Sequence, residues 1–483
     1  MLKKGPSAAV DEETPLLSSS SLEDRQKRGA PTALPRFQLG IALLLQLCEP
    51  VCSQSIYPYI NELVSTLDIV GGDKRKVGYY AGLIESLFFM TEALTVLQWG
   101  RLSDRTGRKP VMLIGLVGSC ISMLFFGLSR TFCTLVISRC LCGLLNGNVG
   151  VMKSVIGEQT DASNRADAFA LVPVAWAAGA AVGPLIGGSL SNPQKRFPTI
   201  FTSDFWKEYP YFLPCLVAAG GVFVATTVTF LFFEETLPKH KQNSSMSSET
   251  SLADPHHHKP APPPLRQILI WPVIISVANY ASIAFLDLTM NALLPLFFAM
   301  PIEYGGLGFS PPTIGYLMGT YGVSTGILCV FLSARILRRF GEKRAFFWGT
   351  ALFVPIFLLM PIMNMCARTS GVGPFVWALV AIELLIMPLI NLPFSAIFTF
   401  ITASAPDKRS LGATNGLSQT TASIARALGP ALSTSLFSFS VQYNILGGYG
   451  VYVLMTMFSL LALGLASFLP ECVWDEETTL DRK

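Results

Sequence analysis

The chain alternates long apolar runs with short polar breaks, and the number and length of those runs leave few folds open. Apolar segments recur at about 37–60, 77–99, 110–129, 131–157, 167–190 and 209–233. After a polar stretch they resume at about 268–299, 312–334, 345–366, 375–403, 411–440 and 446–469. Crossing the ~30 Å hydrocarbon core of a bilayer takes about 20 residues of helix, because each residue rises ~1.5 Å. No water is present there to pair with a free backbone group, so the segment must satisfy its own hydrogen bonds. Only 14% of the 483 residues are charged and 51% are hydrophobic. A soluble domain would carry about a quarter charged residues. The pattern predicts an all-α membrane protein of twelve transmembrane helices in two pseudo-symmetric six-helix bundles.

The polar stretch between the two sets, Pro238 to Gln267, is rich in Ser and Pro and is expected to be a disordered linker. The expected plan is a tail at 1–36, a bundle at 37–237, the linker at 238–267, a bundle at 268–470 and a tail at 471–483. The first 36 residues lack an apolar core and read as a flexible cytosolic tail, not a cleavable signal peptide. Charge sets the sidedness. With both termini on one side, 24 of the 35 Lys and Arg fall on that side, 8 on the other, and Arg139, Lys153 and Arg426 within spans. Lys and Arg collect in cytoplasmic loops, so both termini are expected in the cytosol. Ten cysteines are scattered, mostly inside apolar runs, and suggest neither a disulfide framework nor a zinc site. The tract His256–His258 reads as a solvated run in the linker, so no metal and no cofactor is expected.

Between the second and third runs stands GRLSDRTGRKP, Gly100 to Pro110. It gathers Arg101, Arg105, Arg108 and Lys109 around one acid, Asp104, with Gly100 and Gly107 placed to let the chain reverse. At the matching place after the eighth run, ARILRRFGEKR (Ala334 to Arg344) keeps the glycine and the positive charge but lacks the acid. GAAVGPLIGG (Gly179 to Gly188) in the fifth run is echoed by RALGP (Arg426 to Pro430) in the eleventh. Paired motifs at equivalent places are what a duplicated six-helix unit leaves behind. The Gly100–Pro110 run resembles the signature loop between the second and third helices of major facilitator superfamily transporters, and the resemblance covers nearly the whole chain. It implies a conformational latch of Gly100, Asp104, Arg105, Gly107, Arg108 and Lys109, bridging helix ends when the cytoplasmic side is closed. Topology alone would account for the basic residues, but not for Asp104.

GAAVGPLIGG also resembles the motif of proton-coupled antiporters of the drug-efflux branch, which implies export. Gly179, Gly183 and Gly187, four apart, put a groove on one helix face; Gly188 adjoins it, and Pro184 removes a backbone hydrogen bond. Ordinary small-residue packing is the alternative reading. EPVCSQSIYPYI (Glu49–Ile60) and GLLNGNVGVMKSVIGE (Gly143–Glu158) resemble a fungal branch close to plant zinc-induced facilitators.

Charges inside apolar spans cost several kcal/mol unless paired or wetted. Glu49, Glu85, Arg139, Asp287 and Glu383 stand in such places and are the proton-coupling candidates, with structural ion pairs as the alternative. Glu92 shares a helix face with Glu85, seven residues away, and is read as a partner for the arginines of the basic turn. Arg139 resembles the motif arginine near the proton site of the superfamily. Tyr57, Tyr59, Asn146, Asn148, Trp176, Asn279 and Asn391 could line a cavity for flat organic amphiphiles or cations; each alone would equally serve packing.

The expected activity is secondary transport, proton-coupled export of small organic compounds such as secondary metabolites, toxins or drugs, by halves that rock about a midplane site. Transport of metal chelates or organic acids across a vacuolar or other endomembrane is the alternative, and a non-transporting receptor a remote one. No GxxxxGK[ST] loop and no nucleophile–base pair is present, so neither an ATP-driven pump nor an enzyme is expected. Small-molecule cargo, protons and the bilayer are the expected partners, nucleic acid is not, and a monomer is expected. Glu12-Glu13-Thr14-Pro15-Leu16-Leu17 fits an acidic dileucine sorting pattern, which would engage a sorting adaptor. The plasma membrane and the vacuolar or endomembrane system both stay open as destinations.

Overall fold

The computed structural model describes residues 33–161, 164–237, 269–406 and 410–471. The dileucine pattern at Glu12–Leu17, the histidine tract and nearly all of the linker and tails lie outside the described residues. The first half comprises α1 (Arg36–Ser65), α2 (Val77–Thr106), α3 (Arg108–Gly127), α4 (Phe132–Glu158), α5 (Arg165–Leu190) and α6 (Phe212–Phe232). The second comprises α7 (Trp271–Ala299), α8 (Pro311–Phe340), α9 (Glu342–Ser370), α10 (Pro374–Ser404), α11 (Leu411–Gln442) and α12 (Gly450–Ser467). Among the described residues there is no strand. Below, the linker face is the side of the α2–α3 and α8–α9 turns, and the far face is the side of the α1–α2 and α7–α8 connections.

Eleven of these helices are long and apolar enough to cross a membrane; α11, at 32 residues, is the one that is too polar by composition. At least half of its hydroxyls are turned into the protein. Thr414, Ser418, Ser433, Thr434 and Ser438 are buried against neighbouring helices. Ser433 and Thr434 donate back to the carbonyls of Gly429 and Pro430 at 2.8 Å each. Polar groups satisfied inside the protein carry no lipid-exposure cost, so a span can be built from residues that a hydropathy window rejects.

The basic turn is not a loop. α2 continues through Arg101, Asp104 and Arg105 to Thr106, and α3 begins at Arg108, so Gly107 alone makes the break. Gly107 sits at φ 107°, ψ 161°, a conformation open to glycine and strained for any other residue. Gly100, expected to help reverse the chain, instead lies within α2 with open space around it. The second half repeats the device: Gly341, at φ 82°, ψ 159°, separates α8 from α9. Two helices joined by one glycine of matching geometry confirm the internal duplication at backbone level.

Glycine governs the packing as well. The row Gly179, Gly183 and Gly187 seats α5 on α1: a Cβ at Gly179 would meet Pro50, one at Gly183 the Val51 carbonyl, and one at Gly187 would overlap the Ser55 carbonyl. Gly188 points elsewhere, to Pro311 and Gly315 of α8 in the other half. Further along the same seam Ala181 fits against Gly322, and Ala177 faces Gly326. A second seam joins α2 to α11, where Gly78 and Gly82 lie against Pro430, Thr434 and Ser438, and the Ala431 N–H donates to Ser86 Oγ at 2.8 Å. Helices in a membrane gain little from apolar burial against one another, so such close backbone approach supplies much of the attraction. Both seams occupy the parts of their helices nearer the far face. The halves therefore meet on that side.

Candidate functional site

Two sets of charged side chains lie at the depth of the membrane. The first is built by side chains of the first half, beside Ala292 and Thr434 of the second. α1, α2 and α4 pack so that Glu85 receives a hydrogen bond from Tyr57 Oη at 2.6 Å through Oε1. Through Oε2 it faces Arg139 Nη2 at 3.4 Å. The Arg139 side chain is 3% exposed and that of Glu85 8%. The guanidinium carbon lies 5.6 Å from the ring centre of Phe88 and 5.3 Å from that of Phe126, and Nε has no hydrogen-bond partner among the described residues. An arginine cannot shed its charge in such a place, so the carboxylate, the phenol and the two rings hold it.

The second set lies between the halves. Arg426 of α11, steadied by its bond to Tyr280 Oη of α7 at 3.2 Å, is within electrostatic reach of four groups. These are Glu49 of α1, Glu92 of α2, Lys153 of α4 and Asp287 of α7. Glu49 and Glu92 also act on each other, and Tyr57 and Tyr321 both feel Asp287. Glu92 accepts from Asn146 Nδ2 at 3.4 Å, and Asp287 from Asn291 Nδ2 at 3.2 Å. None of these five ionic side chains is fully buried, unlike Glu85 and Arg139. Ionic groups at such positions face the bundle interior or a water-filled cavity and pair with one another. Three carboxylates and two cations drawn from five helices can bind a charged solute, exchange protons, or do both.

This arrangement changes part of the sequence reading. Among the described residues Glu92 does not pair with the basic turn: its first arginine, Arg101, is nine residues on, about 13.5 Å along the helix at ~1.5 Å per residue and on the opposite face. Arg426 and Lys153 complete the central group, and their position inside apolar spans was the signal for them. Asn146 reaches Glu92, and Asn391 Nδ2 reaches Tyr321 Oη at 3.4 Å, beside Asp287. Asn148 packs its amide against Gly115 of α3, and Trp176 is half-buried on α5. Asn279 lies outside the central group: it bonds the carbonyls of Ile275 and Leu465 at 2.9 and 3.2 Å, tying α7 to α12. Tyr59 stacks on Tyr211 inside the first half, with ring centres 5.1 Å apart. Glu383 is fully buried in α10 within the second half, both carboxylate oxygens lack a hydrogen-bond partner among the described residues, and Tyr452 of α12 is its electrostatic neighbour.

The basic turn forms a clamp within the first half. Arg108 Nη1 meets Asp104 Oδ1 at 2.7 Å and Nη2 meets Glu158 Oε1 at 2.8 Å, linking the ends of α2, α3 and α4. Beyond α6, Glu235 receives the backbone N–H groups of Arg108 and Lys109 at 2.8 and 3.1 Å, a carboxylate at a helix N-terminus. Lys109 Nζ donates to the Phe233 carbonyl at 2.7 Å. Arg105 is exposed and takes no part. Arg108→Gln is therefore expected to cost about 2–3 kcal/mol of stability, from lost charge-assisted hydrogen bonds. Arg105→Gln should stay within ~0.5 kcal/mol of the parent. Unfolding of the two purified variants checks both, and equal losses would deny the clamp.

The family model for the Major Facilitator Superfamily matches residues 63–430. The chain is 32% identical to the major facilitator-type transporter psiT2 of Psilocybe cyanescens, over 95% of this chain and 96% of that protein. It is 29% identical to the efflux pump azaK of Aspergillus niger, over 97% of each. To ZINC INDUCED FACILITATOR-LIKE 1 of Arabidopsis thaliana it is 29% identical, over 86% of each. Among solved structures, a bacterial homologue of the human lysosomal transporter Spinster, in an inward-facing and occupied conformation, superposes with a TM-score of 0.65. That match has 15% identity and covers 91% of this chain and 97% of the other, so it speaks for the fold alone.

Proposed function

The chain belongs to the major facilitator superfamily and is a transporter, not an enzyme; on that premise we propose that it exports small organic compounds in exchange for protons. The central charged group carries the reading. Glu49, Glu92 and Lys153 sit on one half, Asp287 and Arg426 on the other, so a change of charge at any of them alters what holds the halves together. Two seams close the far face, and that state presents the central group to the linker face. Placing the linker face in the cytosol, as the Lys and Arg bias does, makes this the cargo-loading state of an exporter. Protonation of an acid facing Arg426 removes an attraction between halves, and cargo binding supplies another in its place. The name of one relative agrees, since azaK is an efflux pump. Aromatic Tyr321 beside Asp287 suits a cargo with a flat body and a cationic or polar group.

Flux in sealed vesicles, with a pH-sensitive dye inside and an imposed pH gradient, tests the proposal. Aromatic amines, alkaloid-like cations, organic acids and metal chelates form the panel. Cargo-dependent proton movement is expected, with at least a tenfold loss of coupled flux in Asp287→Asn or Glu49→Gln. Cargo movement without proton movement would leave a facilitator. A response confined to metal chelates or organic acids would replace the cargo class.

A further inference from the structure

The far face carries a cavity of about 730 Å³ above the two seams, separate from the central group. Its walls come from both halves: Pro58, Lys74, Lys195 and Arg196 from the first, Phe309 and Ile314 from the second. This volume is the size of a drug-like ligand site, which runs ~300–1,000 Å³.

Charge distinguishes it from a mere surface dimple. Elsewhere on the far face three of five basic residues are paired, Arg75 with Asp73 and Lys207 with Asp204 at 2.9 Å each, and Arg130 with Glu208, while Lys76 and Arg368 form no ion pair among the described residues. Hydrogen bonds from Arg75 hold the Asp73 carboxyl below its ordinary pKa. Lys74, Lys195 and Arg196, which line the cavity, form no ion pair among the described residues. Arg196 Nη2 donates to Tyr316 Oη of α8 at 2.9 Å, so its position is fixed by a neutral group of the opposite half. The one acid in the lining, Glu62, already accepts from Asn192 Nδ2 at 3.1 Å and bonds Tyr211. Three cations against one carboxylate leave a net charge of +2 around an apolar wall. The wall is firm, because Phe309 stacks on Trp377 with centres 5.1 Å apart and planes 11° apart.

We propose that this cavity is a binding site for an amphipathic organic anion, its ring or chain on Phe309 and Ile314 and its sulfonate, carboxylate or phosphate among Lys74, Lys195 and Arg196. A ligand there touches both halves, and so favours the arrangement in which the far face is closed over any in which the walls part. The assignment depends on the transporter fold, not on proton coupling or on the cargo of the central group.

The test uses the full chain in phosphatidylcholine nanodiscs, with 1-naphthalenesulfonate as probe and 1-naphthylmethylammonium, similar in shape and opposite in charge, as control. Calorimetry should show saturable one-to-one binding of the anion, at least tenfold tighter than the cation. Affinity should fall at least tenfold in the triple variant Lys74→Gln, Lys195→Gln, Arg196→Gln. It should be kept in Arg338→Gln, Arg339→Gln, a pair at the linker-face end of α8, with unfolding temperatures confirming that each variant is folded. Bound anion should also slow hydrogen exchange in Gly78–Ser86 and Pro430–Ser438, the far-face seam. Equal affinity for the two probes, or binding unchanged in the triple variant, overturns the site; unchanged exchange at saturation overturns its effect on closure. Vesicle flux does not enter, so failure here is distinct from failure of the export reading.

Discussion

Gly188→Leu is expected to leave the protein folded but unable to close its far face, whereas Gly187→Leu, one residue earlier, is expected to prevent correct folding. The two glycines are neighbours in α5 and face different helices. A Cβ at Gly187 would overlap the carbonyl of Ser55 in α1, within the same half. Both are backbone, neither can turn aside as a side chain would, and the two helices have no second arrangement. Inserting bulk into packed helices costs about 1–3 kcal/mol even where neighbours yield; here they cannot, so the loss is larger. At Gly188 the obstacle is across the seam, with Pro311 O 2.5 Å and Gly315 Cα 2.8 Å from a Cβ. The halves can part there. A penalty of about 3 kcal/mol moves the closed-to-open ratio by roughly a hundredfold, since each 1.4 kcal/mol is a factor of ten. Gly188→Leu should thus keep an unfolding temperature near the parent's, with faster hydrogen exchange at Gly78–Ser86 and lost cargo flux. Gly187→Leu should give little folded protein. Identical behaviour of the two would mean that α5 does not divide its faces between α1 and α8.

Removing one member of the Glu85–Arg139 pair should be costly, and removing both should cost less than the sum. Arg139→Met leaves Glu85 with the Tyr57 hydroxyl as its remaining named partner, and Glu85→Gln leaves a buried guanidinium facing an amide. Breaking a buried ion pair from one side costs about 3–5 kcal/mol, because a charge is left without compensation. The double variant has no stranded charge, so a double-mutant cycle should give an interaction energy of about 2 kcal/mol or more. Tyr57→Phe, which removes one hydrogen bond to a charged group, should cost roughly 1.5–3 kcal/mol. A cycle that closes near zero would mean that Arg139 is held by Phe88 and Phe126 alone. Flux adds a separate result: if Glu85 only anchors Arg139, the double variant regains coupled transport along with stability.

Much of the fold was legible in the chain itself. Helix ends agree with the apolar runs to within a few residues at most places, since hydrocarbon thickness constrains every span in the same way. The largest boundary errors fell at the basic turn and at its counterpart, where α8 runs on to Phe340. At the first, the arginines looked like a loop because they are polar, yet α2 runs to Thr106 and only Gly107 leaves the helix. The same bias toward hydropathy makes α11 the weakest span by composition, although Thr414, Ser418, Ser433, Thr434 and Ser438 are buried. At the site, Glu49 and Asp287 stood out as acids in apolar surroundings, and both lie in the central group. Glu92 was assigned to the wrong partner, and Asn279 to a cavity it does not reach, because a residue's type does not say which helix faces it.

The sequence by itself determined the number of spans, the division into two related halves, the glycine turns and the identity of the intramembrane charges. These are local properties: apolar length, helical period and the freedom of a glycine act over a few turns of one chain segment. Packing alone brings Arg426 within electrostatic reach of Glu49 and Glu92, gives Gly187 and Gly188 different partners, and closes the far face. Helical period sets which residues share a face but is silent on the helix opposite. Ser86 and the Ala431 amide, 345 residues apart, meet because two whole bundles pack there, and no local signal carries that contact.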